Sequence, residues 1–258
     1  MTAARELLPP VPARPADFED DFADGVDPAR WIDHYLPHWT VPERSAARYA
    51  TVADGLELRI EQDQLDWRAE DAPLRVSNLQ TGDFSGPVGS GRGTHRHRSD
   101  GLVVRTPVHE QLMFAPSAGR IDLTVAASTD PGCMLAAWLV GTEHRDEQDA
   151  GEICLFEIDA DAVGATSRAR TGIKAHHDPR LRDDMAEVEL LFDARRPHTW
   201  TVVWGEGETV IGCEGEVLRR LPQAPDYPLI LLVDLFEIGP PRGQYPKTAV
   251  ISAVRAWT

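Results

Sequence analysis

Two glutamates, Glu152 and Glu157, have the residue type and the close spacing that nucleophilic or acid–base chemistry requires. They lie in the segment Gly151–Asp159, which is rich in branched and aromatic residues and has no helical period, so it predicts a β-strand. Side chains of a regular strand alternate between its faces, which would place these glutamates on opposite faces. One extra residue near Leu155 and Phe156, a β-bulge, would bring both carboxylates to one face. We therefore predict a bulge at this point.

A pair of carboxylates on one face has a known chemical use in the hydrolysis of glycosidic bonds. In enzymes that retain the configuration of the sugar, the carboxyl groups lie about 5–5.5 Å apart, and one is the nucleophile while the other is the general acid/base. Cys154 lies between the two glutamates and is small enough to leave room for a substrate. The alternative is an exposed acidic face without chemistry, because the chain has 42 acidic residues.

The composition excludes several classes of partner. The chain of 258 residues has a formal net charge of −16, which disfavours nucleic acids and anionic membranes because both bind to basic surfaces. Lys174 and Lys247 are the only lysines, so Schiff-base chemistry has few candidates. A polysaccharide or oligosaccharide is compatible with this charge. We expect no cofactor, and the oligomeric state stays open.

The cysteines and the first residues bear on the expected location. Cys133, Cys154 and Cys213 are scattered along the chain, and an odd number disfavours the disulfide framework of a small secreted protein. Residues 1–15 contain no apolar core of the kind that a signal peptide needs, and no run of 18 apolar residues predicts a membrane span. The sequence as given is therefore expected to be cytoplasmic, or secreted if a leader has been removed.

Short segments rich in β-forming residues recur along the chain, with turn signals between them and no long amphipathic helix. This pattern predicts an all-β fold, a sandwich of two antiparallel sheets. We expect an irregular arm over residues 1–16 and a single sandwich domain over residues 17–258. The predicted strands include a hairpin of residues 49–52 and 56–61, followed by 102–105, 120–127, 134–140, 152–159, 171–176, 188–191, 200–204, 209–213, 229–235 and 250–257.

The pattern Glu-x-Cys-x-x-Glu, preceded by Ala136-Ala137-Trp138-Leu139, resembles the Glu-x-Asp-x-x-Glu signature of glycoside hydrolase family 16, the laminarinase-like β-glucanases. The sequence departs from that signature at Cys154, where the family has Asp. Other segments that resemble the family's strands, in the same order, are residues 118–122, 197–204, 213–215 and 250–257. Within the last segment, Ser252 stands where many relatives have an Asp that helps to bind calcium.

The resemblance implies a fold, an activity and a set of site residues. The fold would be a jelly roll of the concanavalin A type, and the activity that of a retaining endo-acting glycoside hydrolase or transglycosylase on a β-linked glucan or related polysaccharide. Glu152 would be the nucleophile and Glu157 the general acid/base. Trp138 would stack on a sugar, Asp234 would contact a sugar hydroxyl, and His176 would line the same groove. Cys154, as a neutral thiol, would remove the charge that the family's Asp supplies.

Two alternatives belong to other functional classes. The first is a non-catalytic carbohydrate-binding protein on the same fold, which Cys154 and the missing export signal favour. The second is a metal-dependent sandwich, because His95 and His97 lie on one side of an extended segment. The further glutamate and histidine that a metal site of the cupin type would add do not follow them. We therefore expect His95 and His97 to line the substrate groove and expect no metal site.

Overall fold

The computed structural model describes residues 6–98 and 101–258. The strands are β1 (Phe18–Asp20), β2 (Arg48–Val52), β3 (Gly55–Ile60), β4 (Leu74–Gln80), β5 (Gly82–Asp83), β6 (Gln111–Leu112), β7 (Gly119–Ala126), β8 (Cys133–Gly141), β9 (Glu152–Asp159), β10 (Ser167–Lys174), β11 (Asp184–Leu190), β12 (His198–Gly205), β13 (Glu208–Cys213), β14 (Glu216–Leu221), β15 (Leu229–Ile238) and β16 (Lys247–Trp257). The helices are short: 3-10 helices Pro37–Trp39, Ala69–Asp71 and Ala160–Ala162, and α1 (Pro42–Ser45). The predicted all-β class is confirmed.

Two large antiparallel sheets form the sandwich. The eight-stranded sheet has the order β14-β13-β12-β7-β16-β3-β2, and β1 also pairs with β16. The six-stranded sheet has the order β11-β10-β9-β8-β15-β4, and a small third sheet joins β5 to β6. The described residues contain no helix that is long and apolar enough to cross a membrane.

The main core lies between the two large sheets, where alternate residues of each strand point inward. Phe156 of β9 packs against Trp200 of β12 with 4.8 Å between ring centroids, which joins the two sheets at the centre. The part of the predicted arm that the structure describes lies along the sandwich, since Leu8 donates a backbone hydrogen bond to Gly215. Residues 1–5 of that arm lie outside the described residues.

A second apolar cluster covers the outer face of the six-stranded sheet. It combines Trp138 and Phe236 of the sheet with Tyr35 and Trp67 from the connections. The segment 102–105 belongs to this cover, so the strand predicted there is wrong. Its Leu102 and Val104 are buried by packing on the sheet rather than by pairing with a strand.

The predicted bulge is present in β9. Phe156 pairs with Ala137 of β8, whereas Cys154 pairs with the next residue, Trp138, so Leu155 is the extra residue. Leu155 and Phe156 consequently both point into the core between the sheets. The alternation resumes after them, which returns Glu157 to the outer face that Glu152 and Cys154 share.

The bulge is matched by a glycine on the neighbouring strand. Gly172 of β10 pairs with Cys154 and has a φ of 146°, which favours glycine over other residues. A Cβ atom at this position would lie 2.0 Å from the backbone oxygen of Asp184. The close pairing of β10 fixes the register in which Lys174 lies opposite Glu152.

Candidate active site

Glu152 begins β9, and its side chain is almost completely buried at the base of a cavity on the outer face. His176, which follows β10 and has a left-handed φ of 49°, donates through Nε2 to Glu152 Oε2 at 2.8 Å. The ammonium group of Lys174 lies 2.9 Å from the other oxygen, Oε1. Each oxygen of this buried carboxylate therefore has a polar partner.

These partners determine the ionisation of Glu152. Burial alone raises the pKa of the carboxyl group, but the hydrogen bond from His176 and the charge of Lys174 outweigh burial and lower the pKa to about 2. Glu152 is consequently ionised at neutral pH. An ionised carboxylate is the form that can attack an electrophilic carbon.

Glu157 lies on the same face and is largely buried. Lys174 Nζ contacts Glu157 Oε1 at 2.7 Å, and Arg170 Nε donates to Oε2 at 2.9 Å. Oxygens of Glu152 and Glu157 and the sulfur of Cys154 all lie within 4.8 Å of one another. Approach of one oxygen of each carboxylate to within this distance is compatible with the spacing of about 5–5.5 Å between the carboxyl groups of retaining glycosidases, which is shorter than the spacing of about 6.5–9.5 Å in inverting ones.

The cavity above the two glutamates has a volume of about 600 Å³ and an aromatic floor. Trp138 forms part of this floor and packs against Phe236 with 5.4 Å between ring centroids, and Tyr35 and Trp67 line the same space. The indole nitrogen of Trp138 has no hydrogen-bond partner among the described residues. Aromatic faces beside a few polar groups are the surface that sugar rings bind, because C–H groups stack and hydroxyls bond at the edges.

The predicted pair His95 and His97 lines the same cavity. The ring centroid of His95 lies 5.3 Å from that of His176 and 5.9 Å from that of Trp138. Burial lowers the pKa of both histidines, and that of His97 falls to about 4, so both are neutral at pH 7. Neutral imidazoles can donate to and accept from sugar hydroxyls.

Asp234 is the predicted substrate contact that the structure does not bring into the cavity. Its side chain is fully buried in the sheet beneath the floor, where Asn78 Nδ2 donates to Oδ1 at 2.8 Å, and it does not line the cavity. Burial raises the pKa of Asp234 well above its usual value, because the buried site disfavours the charged carboxylate. Its position within the sheet indicates a structural polar pair with Asn78.

Two three-residue groups in the described part of the chain could offer ligands to a metal ion, one of them the group of Glu152, Cys154 and Glu157 and the other containing histidines. Atoms of His95, Glu152 and His176 lie within 4.8 Å of one another. His97, which the metal hypothesis requires, is not part of this group and instead packs near Trp67. The ammonium group of Lys174 already contacts Glu152, and its charge disfavours a second cation at that carboxylate.

The known proteins that resemble this chain are found by similarity of structure and not of sequence. No family model and no curated protein matches the sequence. The GlcNAcα1-4Gal-releasing endo-β-galactosidase of Clostridium perfringens has a TM-score of 0.81 and 21% identity, and the match covers 96% of this chain and 65% of that protein. The endo-1,3-β-glucanase (laminarinase) of Thermotoga petrophila RKU-1 has a TM-score of 0.63 and 15% identity, with 98% of each chain covered.

A third similar structure belongs to a named family. It is a non-specific endo-β-1,3(4)-glucanase of family GH16, with a TM-score of 0.63, 14% identity and coverage of 99% of this chain and 98% of that one. The chain has the GH16 β-glucanase fold. The jelly-roll sandwich that the motif resemblance implies is thereby confirmed.

Cys154 is the residue at which the sequence departs from the signature that it resembles. Its side chain is fully buried, and Sγ lies 3.8 Å from the backbone oxygen of Arg170. Burial and the charges of Glu157 and Glu152 raise the pKa of Cys154 well above its usual value, so the thiol is neutral at pH 7. The site therefore has two carboxylates where the family motif supplies three.

Restoring the third carboxylate should change the pH dependence of hydrolysis. In Cys154→Asp the added negative charge opposes loss of the proton that a general acid must hold, so we expect the basic limb of the kcat/KM profile to move up by about one pH unit. Cys154→Asn is the control, because it has the same shape without the charge. Profiles that coincide for the Asp and Asn variants would contradict this role of the thiol.

A buried glutamate supports the loop that carries His95. Glu143 follows β8 with a left-handed φ of 53°, and the backbone N–H of Arg96 donates to Glu143 Oε1 at 2.9 Å. Burial raises the pKa of Glu143 to about 7 from an ordinary value of 4.5. The folded protein therefore retains a proton that the unfolded chain loses.

This raised pKa predicts a pH-dependent stability. Between pH 4.5 and 7 Glu143 is protonated more in the folded state than in the unfolded state, so its contribution to the free energy of unfolding falls by about 3 kcal/mol as the pH rises through this window. Glu143→Gln removes this dependence, and we expect it to be more stable than the parent at pH 8 but not at pH 4 in urea unfolding. Glu147→Gln, an exposed glutamate nearby, is the control. An equal change at both pH values for Glu143→Gln would contradict the assignment.

Sequence reasoning misses Lys174 and Arg170, although both contact Glu157. Lys174 is visible in the sequence as one of two lysines, but its position depends on the pairing of β10 with β9. Trp67 and Tyr35 are missed as well, because they come from irregular connections that fold over the sheet. A search for aromatic residues in the turn-rich segment after β3 would find Trp67.

Proposed function

We propose that this protein is a retaining, endo-acting glycosidase that cleaves a β-linked glucan or a related polysaccharide. The observation that carries the proposal is the close pair of carboxylates, with one oxygen of each within 4.8 Å of the other, at the base of an open cavity with an aromatic floor. The structural neighbours are glycoside hydrolases and a transglycosylase, which supports an activity on glycosidic bonds.

The first step would be attack of Glu152 on the anomeric carbon. Its low pKa keeps it ionised, and His176 holds Oε2, so that Oε1, which Lys174 contacts, would be the attacking oxygen. Glu157 would donate a proton to the glycosidic oxygen as the bond breaks. The result is a glycosyl ester on Glu152 and a released sugar chain.

The second step would reverse these roles. Glu157, now ionised, takes a proton from water, and the water attacks the anomeric carbon from the side that the leaving group vacated. Glu152 leaves as a carboxylate, which His176 and Lys174 stabilise. An acceptor sugar in place of water would give transglycosylation.

The sugar unit of the substrate could be the glucose of a β-glucan or galactose. The laminarinases act on β-glucans according to their names, whereas the protein with a TM-score of 0.81 is an endo-β-galactosidase. A substrate panel for this protein should therefore contain laminarin, lichenan and β-1,4-galactan. Release of reducing ends from at least one of them is the expected result.

A non-catalytic carbohydrate-binding protein is the second candidate. The observation that favours it is that Lys174 and Arg170 contact the two carboxylate oxygens of Glu157, whereas a general acid needs one of these oxygens to contact the leaving group. Binding of a panel polysaccharide without any release of reducing ends would support this candidate. Turnover that is lost in Glu152→Gln would exclude it.

A further inference from the structure

Lys174 contacts the three side chains that would surround the reacting sugar in the proposed mechanism, namely Glu152, Glu157 and Trp138. Its Nζ atom lies 2.9 Å from Glu152 Oε1, 2.7 Å from Glu157 Oε1 and 5.2 Å from the centroid of the Trp138 ring. The last contact places the ammonium group over the aromatic face, where a cation is attracted by the ring electrons.

The distances required for the reaction place the substrate between the two carboxylates that Lys174 contacts. A nucleophile must approach the anomeric carbon to about 3–3.5 Å, and a general acid must lie about 2.6–3.2 Å from the oxygen that it protonates. These two substrate atoms are bonded to each other, so they must lie together between Glu152 and Glu157. Lys174 Nζ, which contacts one oxygen of each glutamate, lies between the same two carboxylates.

The contacts of Arg170 are different. Arg170 contacts the other oxygen of Glu157 and also pairs with Asp159 at the far end of β9. It does not contact Glu152 and does not line the cavity. Arg170 can therefore remain in place when a sugar enters, whereas Lys174 cannot.

We propose that Lys174 is a displaceable internal ligand of the active site, an inference that rests on the proposed function. In the free protein its side chain occupies the position of the reacting glycosidic bond, and it leaves this position when substrate binds. The side chain is able to move, because it is 29% exposed and lies at the end of β10. Substrate affinity is then reduced by the fraction of molecules in which Lys174 occupies the site. The free energy needed to displace Lys174 is therefore subtracted from the binding free energy of the sugar chain.

The first experiment observes Lys174 directly. Since the chain has only two lysines, a protein labelled with ¹³C at lysine Cε gives two signals, and Lys174→Met assigns them. The probes are S-linked β-1,3-glucotetraose and S-linked β-1,4-galactotetraose, whose bonds resist hydrolysis. We expect the probe that binds to shift the Lys174 signal and to leave that of Lys247 unchanged, because Lys247 is buried in the other sheet.

The second experiment measures the dissociation constant of the same probe by calorimetry. Lys174→Met keeps the length of the side chain without its charge, and we expect it to bind about tenfold more tightly than the parent. Lys174→Arg keeps a cation near both carboxylates, and we expect its affinity to stay near that of the parent.

The outcomes separate this inference from the proposed function. A probe that binds the parent without moving the Lys174 signal, or that binds Lys174→Met no more tightly, overturns the internal ligand and leaves the glycosidase proposal intact. Failure of both probes to bind the parent and Lys174→Met, together with no hydrolysis of the polysaccharide panel, overturns the proposed function and the inference with it.

Discussion

Glu152→Gln is expected to lower kcat/KM for the hydrolysed polysaccharide by about 10⁴-fold or more. The amide keeps the size of the carboxylate but cannot form the glycosyl ester, so the two-step route is closed. The variant should remain folded, because glutamine can still accept the hydrogen bond from His176. The measurement is the rate of release of reducing ends, with thermal unfolding as the test of folding.

A chemical rescue makes this test specific to a nucleophile. In Glu152→Ala the space that the carboxylate leaves admits azide, which attacks the anomeric carbon while Glu157 protonates the leaving group. The expected product is an α-glycosyl azide, because azide enters from the side that Glu152 faces. A folded Glu152→Gln variant that retains a tenth of the parent rate would contradict the assignment of Glu152.

Glu157→Gln should lower polysaccharide hydrolysis by about 10²–10⁴-fold, because the leaving oxygen must then depart without a proton. The loss should be much smaller for a dinitrophenyl glycoside, since dinitrophenolate leaves without protonation. The basic limb of the kcat/KM profile should also disappear. Steady-state kinetics on both substrates measure the difference.

Azide distinguishes the two glutamates once more. With Glu157→Ala and the dinitrophenyl substrate, azide should attack the ester on Glu152 and give a β-glycosyl azide. An equal loss of rate on the polysaccharide and on the dinitrophenyl glycoside would contradict a general acid at Glu157. It would indicate that Glu157 instead positions the substrate or neutralises Lys174.

Local sequence pattern predicts much of this fold. The hairpin of β2 and β3 follows from alternation around the turn Asp54-Gly55, and the inner faces of the long strands follow from their apolar runs. The bulge in β9 can be predicted because Leu155 and Phe156 are adjacent apolar residues between two glutamates. Its consequence, a shared face for both carboxylates, is the main feature of the candidate site that the sequence supplies.

Other features depend on contacts between distant segments. Leu102 and Val104 are β-forming residues that alternate with the exposed Val103 and Arg105, as in a strand, but they pack on the outer face without pairing, which local pattern alone cannot distinguish. Asp234 lies on the expected face of β15, yet Asn78 of the neighbouring strand and the cover above it remove it from the cavity. Lys174 reaches both glutamates only through the register of β10, which no local pattern specifies.

The most direct test of the account is the anomeric configuration of the first product. Two carboxylates with one oxygen of each within 4.8 Å of the other leave no room for water between the nucleophile and the sugar, so hydrolysis should proceed with retention. Proton NMR of the hydrolysed polysaccharide in the first minutes should show the β-anomer, which later mutarotates to the equilibrium mixture. Initial appearance of the α-anomer would contradict the account, because it would require direct attack by water.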